Sequence, residues 1–265
     1  MSGPLLQRIV ASAVLMAVAL AALWAGSPFW AVLIALVGGA MSWEWSAMTG
    51  AGGFDRLGAA ILGIAVLAIL AADRAGPVTG VGLLAAGALL TGLALVFIRP
   101  PRPALWPLAG LAYVGLPAIA LVWLRNEGGF VLCLWLLVLV WAVDSVAYFV
   151  GRAVGGPKLA PSISPKKTWA GLAGGCVAAA LVGLAAGFSL GIDGRAMMGL
   201  GILLALIEQG GDLLESAVKR RFKVKDSSSL IPGHGGVLDR VDGLVAVALA
   251  VAAIMVLADR APLFP

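Results

Sequence analysis

Long uninterrupted apolar runs, separated by short segments rich in glycine, proline and charge, set the pattern of this chain. A helix needs about 20 apolar residues to cross the hydrocarbon of a bilayer. Nine runs meet or approach that length: Leu5–Trp24, Pro28–Met48, Leu57–Ala72, Val78–Ile98, Ala104–Leu124, Phe130–Val150, Trp169–Leu190, Ala196–Gly211 and Gly243–Leu257. The third, eighth and ninth are short. Strands of a membrane barrel would alternate apolar and polar residues, whereas Leu132–Val143 is apolar throughout. The pattern therefore predicts an all-α, polytopic transmembrane protein of about nine spans. Its breaks carry turn chemistry, as at Gly26-Ser27-Pro28, Gly50-Ala51-Gly52-Gly53, Arg99-Pro100-Pro101-Arg102-Pro103 and Gly155-Gly156-Pro157. Two regions follow, residues 1–125 with N-terminal helices only, and residues 126–265 with both long polar loops, 151–168 and 212–242. The run Ile9–Ala25 after Arg8 has the look of a signal peptide. The rest of the chain is equally apolar, so an uncleaved first span is the simpler reading.

Composition agrees with a lipid solvent. Hydrophobic residues make up 62% of the 265 and charged residues 12%, where a soluble domain carries about a quarter charged. The 36 glycines suit helices that pack closely through small residues. Cys133 and Cys176 both lie in apolar runs, which argues against a disulfide framework or a zinc site. No internal repeat is evident, and this weakens a transporter built on inverted repeats.

Charge gives an orientation. With nine spans, all but four of the 18 lysines and arginines fall on the N-terminal side and in alternate loops; the exceptions are Arg74, Arg125, Arg195 and Arg260. By the positive-inside rule the N-terminus and both polar loops are expected to be cytoplasmic and the C-terminus outside.

The one long polar segment, from Gly210 to Gly243, holds Asp212, Glu215, Asp226, Asp239, Asp242, six basic residues and the sole histidine, His234. Glu208, Asp212, Glu215 and Lys219 share one helical face. Glu208 lies in an apolar run, where an ionisable group is costly unless paired or facing a wet cavity. Asp239 and Asp242 are one turn apart, so Asp212, Asp239 and Asp242 are placed to converge at the membrane surface. Carboxylates are hard donors suited to Mg²⁺, which is usually held by one or two of them plus substrate phosphates. The glycines of Ile231-Pro232-Gly233-His234-Gly235-Gly236 would let backbone N–H groups approach phosphate oxygens. The plainer alternative is a basic juxtamembrane loop attracted to anionic lipid. It leaves Asp212 and Asp242 unexplained.

A second constellation runs from Asp144 to Thr168. Asp144, Tyr148 and Arg152 share a helix face, with Asp144 either a salt-bridge partner of Arg152 or a site residue. Ser164, Lys166, Lys167 and Thr168 suit phosphate contacts; snorkelling lysines are the alternative. Glu44, between Trp43 and Trp45, reads as a solvated glutamate in an interfacial aromatic belt and is assigned no role.

With these residues in view, the stretch from Ser216 to Asp242 resembles the signature of the phosphatidate cytidylyltransferase (CDP-diacylglycerol synthase) family. Ser216, Lys219, Arg220, Lys225, Asp226, Pro232, His234, Gly235, Gly236, Asp239, Arg240 and Asp242 stand at its specified positions. Asp144–Arg152 and Ser164–Thr168 also look like the family, and together the matches cover roughly the C-terminal half. One position departs: the family often has a glutamate where this chain has Ala170.

The resemblance implies that CTP and phosphatidic acid give CDP-diacylglycerol and pyrophosphate, with Mg²⁺, at the inner face of the cell membrane. Asp212, Asp239 and Asp242 are then expected to hold the metal, and Lys219, Arg220, Lys225 and Arg240 to contact the triphosphate. Asp226 is counted with these catalytic residues. Lys166 and Lys167 are expected to grip the lipid phosphate, and His234 to orient or protonate a phosphate oxygen. Asp144, Arg152, Ser164, Thr168, Ser216, Gly235 and Gly236 complete the expected substrate site. Membrane lipids and a second copy of the chain are the expected partners, and nucleic acid is not. A transporter is the rival class. A CTP-dependent enzyme acting on another lipid phosphate is the nearer rival, and a membrane scaffold the more distant.

Overall fold

The computed structural model describes residues 3–50, 53–98, 103, 105–231, 233 and 235–258. The apolar runs are helical: α1 Gly3–Ala25, α2 Phe29–Thr49, α3 Arg56–Ala75, α4 Pro77–Ile98, α5 Leu105–Val154, α6 Trp169–Leu190, α7 Gly194–Arg221 and α8 Leu238–Leu257. Among the described residues, seven helices are long and apolar enough to cross a membrane, and Ile9–Ala25 forms a shorter apolar helix. The count differs from nine apolar runs partly because the described part of the fifth run, from Leu105, and the sixth, Phe130–Val150, lie on the single helix α5. At 1.5 Å per residue its 50 residues would extend about 75 Å if straight, more than twice the hydrocarbon thickness. The helix breaks at Gly129 (φ 75°, ψ −173°), backbone geometry that glycine adopts without a Cβ penalty. Outward faces are apolar, as lipid contact requires: Leu89, Leu90, Phe97 and Phe188 are all well exposed.

Polar residues end the helices where the sequence supplies them. The side chain of Asp55 caps α3 by accepting from Gly58 N at 2.8 Å. The Thr168 hydroxyl caps α6 by accepting from Gly171 N at 3.0 Å, each satisfying an N–H that the first helical turn leaves free.

The chain forms two compact units, Met1–Phe130 with Phe222–Val241, and Val131–Arg221 with Asp242–Pro265. In the first, α2 packs on α3 and α3 on α4. In the second, α6 packs on α7 so closely that a Cβ at Gly183 would collide with the Met197 carbonyl, and one at Gly201 with that of Ala179. Only glycine permits two helix backbones to approach this far.

Both polar loops hold more structure than their hydropathy suggests. Within 151–168, strands β1 Lys158–Ala160 and β2 Ser164–Thr168 form an antiparallel hairpin, with Lys158 opposite Thr168 and Ala160 opposite Ser164. Within 212–242, α7 continues to Arg221 and α8 starts at Leu238. The continuation follows from the Glu215–Lys219 pair, joined at 2.6 Å across one turn and largely buried, which supports a helix past the point where the apolar run stops.

Candidate functional site

The second unit gathers one set of site residues around α7. Lys167 Nζ lies 2.5 Å from Asp212 Oδ2, both side chains about one-fifth exposed (18% and 22%). The same ammonium donates to Gln209 Oε1 at 2.9 Å, and Gln209 Nε2 donates to Glu208 Oε2 at 2.6 Å. Ser216 Oγ donates to Asp212 Oδ1 at 3.3 Å. A chain of polar contacts thus runs along α7 from the wholly buried Glu208 to Ser216, with Lys167 of β2 as its cation. Asp144 lies within electrostatic reach of Glu208.

Acidic side chains concentrate here. Asp242, mostly buried on α8, feels the charges of Asp212, Asp144 and Lys219, and Gly243 N donates to Asp242 Oδ1 at 2.9 Å. Gly243 and Gly211 permit close approach here: a Cβ at the first would meet the Glu208 side chain, and at the second the Ala246 side chain and the Asp242 carbonyl. Among the described residues, no three His, Cys, Asp or Glu side chains already enclose a metal.

The hairpin divides its lysines. Successive side chains of a strand point to opposite faces, so Lys167 turns in to Asp212 while Lys166 is exposed. The two do not form one grip. Thr168 is buried and used as the α6 cap. Ser164 is half-buried on β2. Arg220 Nε donates to the Ile163 carbonyl in the hairpin turn at 3.2 Å. Arg152 donates to the Tyr148 hydroxyl at 3.0 Å. Asp144, eight residues earlier on the same helix, lies within electrostatic reach of Glu208.

The first unit holds the other set, in the irregular stretch 222–237. Asp239 accepts from Ser227 N at 3.0 and 3.2 Å through its two oxygens, from Ser227 Oγ at 3.1 Å and from Gly236 N at 2.8 Å. Three of these four contacts fall on Oδ2, and Gly236 N–H is taken up by Asp239 rather than left for a phosphate. Gly235 has φ 88° and returns its carbonyl to Ile231 N at 2.8 Å. Lys225, Asp226 and Arg240 are exposed. His234 and Pro232 lie outside the described residues.

Sequence reasoning missed Glu44. It is not a solvated belt residue: it is wholly buried and accepts from Ser228 Oγ at 2.6 Å, Val237 N at 2.8 Å, Leu238 N at 2.7 Å and Ser227 Oγ at 3.3 Å. Its partners are 183 to 194 positions away, beyond any local pattern. The one available signal was an acidic residue inside an apolar run, the same signal that singled out Glu208.

Comparisons with known proteins agree with the motif. Residues 6–258 match the model of the cytidylyltransferase family. A phosphatidate cytidylyltransferase of Brucella abortus (strain 9-941) is 42% identical over 247 residues, covering 91% of this chain and 89% of the relative. Proteins with that name from Rickettsia felis (41% identical; 53% of this chain, 66% of the relative) and Haemophilus influenzae (48%; 44% and 43%) match shorter stretches.

Proposed function

The chain belongs to the cytidylyltransferase family, and from that premise we propose that it transfers the cytidylyl group of CTP to phosphatidate, giving CDP-diacylglycerol and pyrophosphate. The observation that carries this reading is the match over nine-tenths of both chains to a relative of that activity, with the twelve signature positions from Ser216 to Asp242 all filled. In the reaction a phosphate oxygen of phosphatidate forms a bond to the α-phosphorus of CTP. The bond from that phosphorus to the α,β-bridging oxygen breaks, and its electron pair leaves with pyrophosphate. The attacking group is already an anion, so no strong base is required. The obstacle is that two anions must meet, and the protein's task is positioning and charge neutralisation.

Cations of this chain supply part of that. Lys225 and Arg240 are exposed near the glycine-rich loop in sequence and, with Arg220, are assigned to the triphosphate. Lys166, exposed on β2, is assigned to the lipid phosphate, and Lys167 to holding Asp212. The carboxylates fit a Mg²⁺ ion: two hard oxygen donors, Asp212 and Asp242, lie within electrostatic reach, and such a pair plus substrate phosphates is the usual Mg²⁺ environment. Asp212 and Asp242 would hold the ion, which supplies neutralisation of the triphosphate when bound. Asp239 holds the loop ahead of α8 through Ser227 and Gly236. The excess of lysine and arginine in alternate loops supports an N-terminus and polar loops on the cytoplasmic side, where CTP is found.

The test is purified protein with labelled CTP, phosphatidate and Mg²⁺, against an EDTA control. Labelled lipid and released pyrophosphate, both lost with EDTA, are expected. Label entering a different lipid phosphate but not phosphatidate would overturn the substrate; no label in any lipid, from folded protein, would overturn the transferase.

A further inference from the structure

Glu44 lies outside the signature, yet it holds the signature loop. We infer that Glu44 is the positioning residue of this site, a carboxylate delivered by α2 that fixes the 227–238 segment and caps the helix bearing Asp239 and Asp242. The inference rests on the cytidylyl-transfer reading above and adds a residue to it.

The geometry is specific. A helix begins with N–H groups that lack partners, usually satisfied by a Ser, Thr, Asp or Asn side chain just ahead of it. Ahead of α8 the chain has Gly235, Gly236 and Val237, none of which has such a side chain. Glu44 takes that place from another helix, with one oxygen on Val237 N and the other on Leu238 N, at 2.8 and 2.7 Å. An anion at a helix N-terminus is also favoured by the helix dipole. Gly236 is the complementary feature. A Cβ there would run into Ser227 Oγ and come within 2.5 Å of Glu44 Oε1, so the space a capping side chain would use is filled by Glu44 itself.

The anchor is itself held. Trp45, the next residue, donates from Nε1 to the Trp106 carbonyl at 2.9 Å and stacks on Tyr113 at 5.1 Å. Trp106 meets Phe222 edge-on at 4.8 Å. The irregular stretch is thus fastened at both ends: Phe222 to an aromatic cluster on α2 and α5, and Val237–Leu238 to Glu44. Between them Ser227 touches both Glu44 and Asp239, which links the anchor to the signature carboxylate.

The test compares wild type, Glu44→Gln and Ser228→Ala by steady-state kinetics and amide hydrogen exchange. Glutamine keeps the shape but loses the charge and sets an NH₂ against N–H donors. The expected result is a fall in kcat of at least 30-fold, about 2 kcal/mol in the barrier, with the KM for phosphatidate within threefold of wild type. Amides of 227–238 should exchange at least tenfold faster, while those of α2 and α3 stay unchanged. Ser228→Ala, which removes the shortest of the four contacts without altering α2, should lower kcat about fivefold and serves if Glu44→Gln does not fold. Wild-type kcat in folded Glu44→Gln, or unaltered exchange in 227–238, would overturn the inference. If the wild type itself makes no CDP-diacylglycerol, the functional reading fails separately, and the exchange result alone decides whether Glu44 is the anchor.

Discussion

Replacing Lys167 with methionine separates the architecture of the carboxylate cluster from its chemistry. The lysine contacts Asp212 at 2.5 Å and Gln209 at 2.9 Å, and methionine removes both contacts at similar volume. Exposed ion pairs contribute about 0–1 kcal/mol, whereas breaking a fully buried one costs about 3–5 kcal/mol, because a charge is left without compensation. The two side chains are 18% and 22% exposed, which places the expected loss between these limits, at about 2 kcal/mol. It should not be smaller, because Asp212 would then face Asp242 with its cation gone. The assay is thermal denaturation in detergent, read as the fraction remaining monodisperse on size exclusion. Lys167→Met should unfold well below wild type, and adding Asp212→Asn should recover most of the difference, since removal of both partners leaves no stranded charge. Turnover should be lost in Lys167→Met, in Asp212→Asn alone and in the double variant. A single variant as stable as wild type, or a double variant that loses the sum of the two single losses, would refute the account of Lys167 as the cation that balances this cluster.

Three further outcomes are expected. Thr168→Ala should cost about 1 kcal/mol of stability through loss of the α6 cap, measured by the same denaturation assay. Gly236→Ala should destabilise the loop by about 1–3 kcal/mol through overpacking and greatly reduce turnover; combined with Glu44→Ala the effects should be less than additive, because that change vacates one side of the space. Asp242→Asn should raise the Mg²⁺ concentration needed for half-maximal turnover by at least tenfold in a metal titration, and an unchanged midpoint would count against its proposed role as a metal ligand.

Much of the helical framework was legible because lipid imposes one simple demand, a long apolar run, and α2, α4 and α6 match their predicted bounds within a residue or so. The end of α7 was hidden because helix and apolar run part company at Gly211. Beyond it the helix is supported by the Glu215–Lys219 pair, visible as a spacing but not as a boundary. The signature residues were legible as chemistry, and less so as partners. Strand alternation separates Lys166 from Lys167, which the adjacency of two lysines conceals. Asp144 lies near Glu208, a neighbour that depends on what α7 brings alongside. Glu44 was illegible for the same reason: flanking tryptophans explain a glutamate locally, and its donors come from the far end of the chain.

The hairpin ahead of α6 also limits how the length of this chain can vary. On β2 Lys166 is exposed while Lys167 turns to Asp212 on α7, and Thr168 ends the strand as the cap of the next helix. Deleting or inserting one residue between Ser164 and Thr168 would exchange the two lysines and carry the cap out of place at once. Residues 161–163, at the turn, carry no such phase. Length changes in this segment are therefore expected at the turn, while the five residues that follow keep a fixed count.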